Sequence, residues 1–368
     1  MLRGDSLELY LYLCGEKKRF MIDTQFLSVF LSGIATAYFA LSAYYLFRRR
    51  ESSRLQIVVG YIFLQWTALN LKDFIFTQYD ASSQVLQDVI VLLDGTSLIG
   101  YTLLLYELIR PRWATWRKAL GMLMAYVPFF VLYAVWPSQT VINCYLVCLF
   151  IVGTVIFLVW LKQGLKYARY IRDNFSNIDK IDISWLKVVA LFFVICQLIW
   201  VAISIIRIPL ADSLYYASSI ILWQYTLERI IHQKAVDMEQ QIIEPVVVGG
   251  GKSYAFEDSL PKLMEQEELY LNPQLSNKEL ATHIGTNRTY LSDYFVNVKH
   301  TTFYDYINDL RIEKKSIPLM QEHPEYTIER LAAESGFYSV STFNRSFQKL
   351  KGMSPGKYRK QLKNNIIN

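Results

Sequence analysis

The sequence predicts an all-α protein, a seven-transmembrane helix bundle followed by a cytoplasmic helical domain with two helix-turn-helix units. Three observations predict it. Apolar residues make up 53% of the 368-residue chain and charged ones only 19%, too apolar for an average soluble protein. Seven apolar stretches of spanning length fill the region from Phe26 to Ile231. From Phe256 onward the chain turns polar, and a helix-glycine-helix pattern occurs there twice.

A spanning helix needs about 20 mostly apolar residues, because every backbone polar group must be satisfied internally in lipid. Phe26–Phe47, Leu120–Trp136, Val141–Leu161 and Leu186–Ile206 meet this most clearly, and Leu55–Phe76, Val85–Ile109 and Leu210–Ile231 meet it with more polar residues. Residues 1–25 form an N-terminal tail without the order of a cleaved signal peptide.

Basic residues accumulate in cytoplasmic loops. Arg48, Arg49, Arg50 and Arg54 follow the first span; Arg110, Arg112, Arg117 and Lys118 follow the third; Lys162, Lys166, Arg169, Arg172 and Lys180 follow the fifth. The expected topology is therefore multi-pass in a bacterial inner (cytoplasmic) membrane, with the N-terminus outside and everything after Ile231 in the cytoplasm. Lys17, Lys18 and Arg19 oppose it, a conflict that disappears if the true start is Met21.

Ionisable residues inside spans are costly, so Lys72, Asp73, Asp88 and Asp94 are candidate signal-sensing residues. Two readings stay open: a Lys–Asp pair that ties two helices together, or an outward-facing polar pocket for an external or membrane ligand. A transporter lacks support, since no inverted repeat of interrupted helices is evident.

Residues 232–255 are read as a helical connector and glycine-rich linker. Ile231, Ala235, Met238 and Ile242 have the spacing of a coiled-coil seam, either a frayed helix extension or a homodimer contact, and Pro245 ends it. Gly251-Lys252-Ser253 resembles the end of a phosphate-binding loop, but the glycine such a loop needs earlier is Val246. A nucleotide hydrolase is rejected on that ground. The four cysteines form no C-x-x-C pair, and Cys144 and Cys148, on one helix face, are read as packing residues with a redox sensor as the alternative. The four histidines lack metal-ligand spacing. No catalytic residue, metal or cofactor is predicted, and no enzyme.

Residues 256–365 are expected to form the cytoplasmic domain. In the first unit Leu280, Ala281 and Ile284 face inward, Gly285 turns, Thr286 or Asn287 caps the second helix, and Leu291 and Phe295 pack it. In the second, Ile328, Leu331 and Ala332 face inward, Gly336 turns, Ser339 caps, and Phe343, Phe347 and Leu350 form the buried stripe. The helical stretch Phe303–Ile317 joins them. The end of the chain is basic, with Arg345, Lys349, Lys351, Lys357, Arg359, Lys360 and Lys363 and no acid after Phe337, which suits phosphate contacts.

Over about Leu260 to Leu362 the chain resembles the AraC/XylS family of transcription regulators, most strongly at Gly336-Phe337, Ser341, Phe343, Arg345, Phe347 and the run GMSPGKYRK from Gly352 to Lys360. The resemblance implies a seven-helix domain whose two recognition helices enter successive major-groove segments of double-stranded DNA. It implies base contacts from Thr289, Ser292 and Asp293 in the first helix and from Val340, Ser341, Asn344 and Arg345 in the second. Chemistry supports pairing of Arg345 with guanine and Asn344 with adenine. The charge pattern adds Lys349 and Arg359 as phosphate contacts. Two residues depart from the family: His300 replaces a glycine after the first recognition helix, and Pro318 is expected to end or kink the joining helix near Ile317.

The expected function is a membrane-anchored one-component transcription regulator, with the lipid bilayer, DNA, RNA polymerase and an unknown ligand as candidate partners. The alternative is a membrane receptor or transporter-like protein whose helix-turn-helix tail docks a protein partner.

Overall fold

The computed structural model describes residues 4–50, 52–79, 83–191, 194–195, 198–199, 209–233 and 254–367. Among them every regular element is helical, and the one extended pairing is an isolated bridge between Phe175 and Ser276. The chain divides into two compact units, Met1–Gln163 with Ile183–Val236, and Gly164–Asp182 with Asp237–Asn368. This division takes Gly164–Asp182, expected as the cytoplasmic loop between the fifth and sixth spans of the 26–231 domain, into the second unit. The expected coiled-coil seam, the glycine linker and the Gly251-Lys252-Ser253 segment lie outside the described residues.

The first unit contains α1 (Gly4–Arg48), α2 (Arg54–Tyr79), α3 (Gln84–Asp94), α4 (Ser97–Ile109), α5 (Trp116–Met124), α6 (Val127–Val135), most of α7 (Gln139–Asn174) and α8 (Pro209–His232). The region read as an N-terminal tail is helical from Gly4 and continuous with the first apolar stretch. Among the described residues, four helical stretches are long and apolar enough to cross a membrane: Phe26–Arg48, Gln84–Ile109, Trp116–Val135 and Gln139–Asn174. The expected second and seventh spans form the 26-residue α2 and the 24-residue α8, which carry more polar residues, and the expected sixth lies partly outside the described residues.

Two of the apolar stretches are broken rather than straight. Between α3 and α4 the backbone turns at Gly95, where a Cβ would stand 2.0 Å from the Tyr145 hydroxyl. The carbonyls freed there are used: Tyr126 donates to the Gly95 oxygen at 3.0 Å and Tyr145 to the Leu92 oxygen at 2.7 Å. Such satisfaction is what lets an irregular backbone persist in apolar surroundings. An aromatic cluster of Phe39, Phe63, Trp66, Tyr101 and Trp223 fills the centre of the unit, with ring centroids 5.3–6.4 Å apart in edge and stacked geometries.

In the second unit the helices are α9 (Ser259–Glu267), α10 (Asn277–His283), α11 (Arg288–Asn297), α12 (Phe303–Leu310), α13 (Ile317–Glu322), α14 (Ile328–Glu334), α15 (Val340–Lys351) and α16 (Pro355–Ile367). Short polar side chains start them. Ser276, Asn287, Thr302, Thr327 and Ser339 each accept the backbone N–H three residues on, at 2.8–3.2 Å, so each helix begins where its cap stands. Gly285 and Gly336 turn the two helix pairs at φ +73° and +78°. His300, at φ +51°, takes up the left-handed conformation that a glycine would hold without strain.

Of the end or kink expected at Pro318, the end does not occur. The joining helix does not stop near Ile317; a π-helical turn at Arg311–Ser316 links α12 to α13, and helix continues to Glu322. The Ile317 N–H reaches back five residues to the Ile312 oxygen, and Ser316 Oγ donates to the Arg311 oxygen at 3.0 Å. The wider turn absorbs a residue with no N–H to give, close to where it is needed. With this joining helix taken as one, Ser259–Ile367 holds seven helices.

Two apolar cores hold these helices. The first gathers Phe256, Leu260, Met264, Leu280, Leu291, Phe295 and Ile307; the second gathers Ile312, Met320, Leu331, Phe337, Phe343 and Phe347. Asp309 lies beside α15 on α12, where burial and the Asp305 carboxylate push its pKa up to about 6. Between about pH 4 and 6 the folded state therefore holds a proton that the unfolded chain has released, and stability falls as pH rises through that window. Asp309→Asn is expected to stabilise the second unit by about 1 kcal/mol at neutral pH, after allowance for solvent screening of a half-exposed group, and to do nothing below about pH 4. Native-state hydrogen exchange of α12 at the two pH values checks this.

Candidate nucleic-acid interface

A helix that reads DNA must be held from behind and bare in front. Along α15, Phe343 and Phe347 are fully buried, whereas Ser341, Asn344, Arg345, Gln348 and Lys349 are exposed on the opposite face. That division follows from the 3.6-residue period, which puts 341, 344, 345, 348 and 349 on one stripe. A guanidinium and an amide stand side by side there, and Val340, at the first position, is half-buried. The stripe offers donors and acceptors suited to base edges and phosphates.

In α11 the residues assigned to reading are less free. Thr289, Ser292 and Asp293 are half-buried. Both oxygens of Asp293 serve the domain itself: Tyr254 Oη donates to one at 2.7 Å and Asn297 Nδ2 to the other at 2.6 Å. The two basic residues assigned to phosphates also have internal partners. Lys349 pairs with Asp305 on α12 at 2.7 Å, with its own side chain 62% exposed, and Arg359 donates to the Tyr326 carbonyl. The latter ties α16 to the loop before α14.

Sequence reasoning missed Arg311. Its side chain is 1% exposed and carries hydrogen bonds to the Tyr270 oxygen (2.6 Å), the Asn272 oxygen (2.7 Å), Asn308 Oδ1 (2.9 Å) and Ser176 Oγ (3.2 Å). Its guanidinium lies 5.5 Å from the Phe337 ring centroid. Burial pulls its pKa down to about 10, which leaves it charged at neutral pH. A polar side chain inside an apolar pattern carries no period, so only its partners reveal it.

Also unforeseen is the part played by Gly164–Asp182. Ser176 donates through both its N–H (3.2 Å) and its hydroxyl (2.7 Å) to the Leu275 oxygen, and Asn277 Nδ2 donates to the Asp173 oxygen at 2.7 Å. Ser176 and Ile178 are buried. The basic connection that follows the fifth apolar stretch is thus packed against the start of α10.

The other candidate residues lie in the first unit. Lys72 pairs with Asp73 and, at 2.8 Å, with Asp94, while Tyr216, which the sequence reading did not single out, donates to Asp73 at 3.0 Å. Asp88 accepts from Gln84 at 2.9 Å and from Tyr133 at 2.8 Å. Among the described residues no cluster of His, Cys, Asp and Glu could hold a metal ion.

Fold and surface together define the second unit as a double helix-turn-helix domain of the type found in transcription regulators. Residues 280–361 match the family model of a helix-turn-helix domain of AraC/XylS type. An uncharacterized HTH-type transcriptional regulator of Staphylococcus aureus (strain COL) is 25% identical over 138 residues, 38% of this chain and 18% of the relative. The Msm operon regulatory protein of Streptococcus mutans serotype c is 28% identical over 87 residues, 24% of this chain and 31% of the relative. The chain thus spans less than a third of the length of these relatives. No solved structure matches.

Proposed function

We propose that this protein is a membrane-anchored, one-component transcription regulator, which senses a signal in its N-terminal helices and binds double-stranded DNA through α11 and α15. The observation that carries the reading is the exposed polar stripe of α15, with Asn344 and Arg345 at its centre and two buried phenylalanines behind it. Lys349, although paired with Asp305, is exposed enough to exchange that partner for a phosphate.

Membrane anchoring rests on the first unit's surface. Phe26 is 72% exposed, Ile221 70% and Val135 80%, and apolar surface on this scale is costly in water and at home in lipid. Seven spans with the N-terminus outside remain the proposed topology in a bacterial cytoplasmic membrane. One of its assignments has support: the connection Gly164–Asp182, counted as inside from its basic residues, packs with the helix-turn-helix domain. Lys72, Asp73 and Asp94, joined by Tyr216, are the proposed sensing cluster. A homodimer through the connector and contact with RNA polymerase complete the proposal.

The test is a crosslinking map of genomic DNA bound by the intact protein, beside an Asn344→Ala, Arg345→Ala variant. Discrete peaks that vanish in the variant are expected. On an operator recovered from those peaks, Arg345→Ala alone should weaken binding by about 1–3 kcal/mol, about 5- to 150-fold, and reduce the salt dependence. Peaks that persist in the double variant would remove α15 as the reading head.

A further inference from the structure

The first turns of both recognition helices are occupied by one other segment of the chain. The Asp179 carboxylate accepts from Ser339 Oγ at 2.7 Å and from Thr342 Oγ1, and it pairs with Arg345 Nη2 at 3.8 Å. Arg345 Nη2 is in turn 3.3 Å from Thr342 Oγ1. At the other helix, Arg288, the first residue of α11, donates to the Tyr170 hydroxyl at 3.2 Å, with its guanidinium 5.8 Å from that ring's centroid. Lys180 lies 5.2 Å from the ring of Tyr338, just ahead of α15. Tyr170, Asp179 and Lys180 all belong to Gly164–Asp182.

We propose that Gly164–Asp182 is an autoinhibitory clamp on the DNA-reading face, with Asp179 seated where the nucleic acid's own negative charge must go. The proposal rests on the DNA-binding reading above. A recognition helix meets bases and backbone through its N-terminal residues, and that end of a helix favours an anion. A carboxylate that takes two hydroxyl donors and a guanidinium there satisfies the groups a phosphate would otherwise take.

The segment is built in two parts with different strengths. Its middle is anchored: Ser176 is fully buried, bonded to Leu275 and Arg311, and Ile178 is 2% exposed. Its far end is polar. Of the three residues that Asp179 holds, Thr342 is buried and Ser339 half-buried, but the Arg345 side chain is 54% exposed, so the ion pair at the rim is the weakest part of the contact and the place where it can begin to open without unfolding the core. The same basic stripe therefore has two competing partners, one tethered and one free. Tethering gives Asp179 a high effective concentration at α15, and the clamp wins until it is displaced. Covalent continuity supplies a lever, because the clamp begins within α7, one helix from Gln139 to Asn174.

The experiment uses the full chain in phosphatidylethanolamine–phosphatidylglycerol nanodiscs and a fluorescent mixed-sequence DNA duplex at fixed salt. Wild type, Asp179→Ala, Asp179→Asn, Arg345→Ala and the Asp179→Ala, Arg345→Ala pair are titrated, with thermal melting of each. Asp179→Ala is expected to bind about tenfold tighter than wild type, Asp179→Asn by a smaller factor, and the double variant no tighter than wild type. Should Asp179→Ala fail to melt cooperatively, the isosteric Asp179→Asn decides. Binding that Arg345→Ala weakens but neither Asp179 variant strengthens would overturn the clamp and leave the DNA-binding reading intact. Failure of every variant to bind the duplex would overturn both.

Discussion

Arg311→Ala is expected to destabilise the second unit by about 3–5 kcal/mol, the largest effect of any single substitution proposed for it. The guanidinium is the shared donor for carbonyls that have turned away from regular structure, at Tyr270 and Asn272, and for the side chain of Asn308 one turn earlier. It also reaches Ser176. Its removal would leave these buried acceptors unpaired, each at about 1–3 kcal/mol, although water entering the space would recover part of the cost. Arg311→Lys should recover little, because a point ammonium on a flexible stem cannot reproduce a planar fork that spans two carbonyls and a hydroxyl. Hydrogen-exchange protection across α10, α12 and α14 would report the loss. A fall of less than about 1 kcal/mol would mean that the apolar cores alone hold the unit.

Gly336→Ala is expected to cost about 2–4 kcal/mol, whereas Gly285→Ala should cost only about 1 kcal/mol. Both glycines turn a helix pair at nearly the same angle, φ +78° and +73°. What separates them is what a methyl group would meet. At Gly336 a Cβ would lie 2.5 Å from the Leu271 carbonyl oxygen and 2.7 Å from its Cα, backbone atoms that cannot swing aside; at Gly285 nothing stands within 4 Å. Leu271 closes the short 3-10 turn Leu269–Leu271, whose Tyr270 oxygen is one that Arg311 holds. The close approach at Gly336 and the buried guanidinium thus fasten the same turn from two sides. Melting curves of the two glycine variants would show the contrast, and equal losses would mean that backbone conformation alone governs both sites.

These paired cases show how far local chemistry reaches. The helix starts at Ser276, Asn287, Thr302, Thr327 and Ser339 and the two glycine turns are decided within a few residues of chain. So is the division of α15 into a buried phenylalanine stripe and a bare polar one. The sequence indicates the two glycine turns, the Ser339 cap, Asn287 as one of two candidates and the buried phenylalanine stripe, but not the caps at Ser276, Thr302 and Thr327. The candidate reading residues fared unevenly because exposure is local but pairing is not. Asn344 and Arg345 lie on the exposed face as the period requires, yet Arg345 pairs with Asp179, 166 residues earlier in the chain, and Asp293, Lys349 and Arg359 have partners 39, 44 and 33 residues away, at Tyr254, Asp305 and Tyr326.

By itself, then, the sequence determined that the regular elements among the described residues are helical, where the helix-turn-helix units turn, and which face of α15 is buried. Tertiary structure alone decided that a π turn accommodates Pro318, that Arg311 is a buried hub, and that Asp179 rests on the second reading helix 160 and 163 residues further along the chain. The reason is physical. Caps, glycine turns and hydrophobic stripes are set by neighbours within one or two helical turns, so they leave a period in the chain. A single polar contact between distant segments depends on how whole helices pack, and it leaves none.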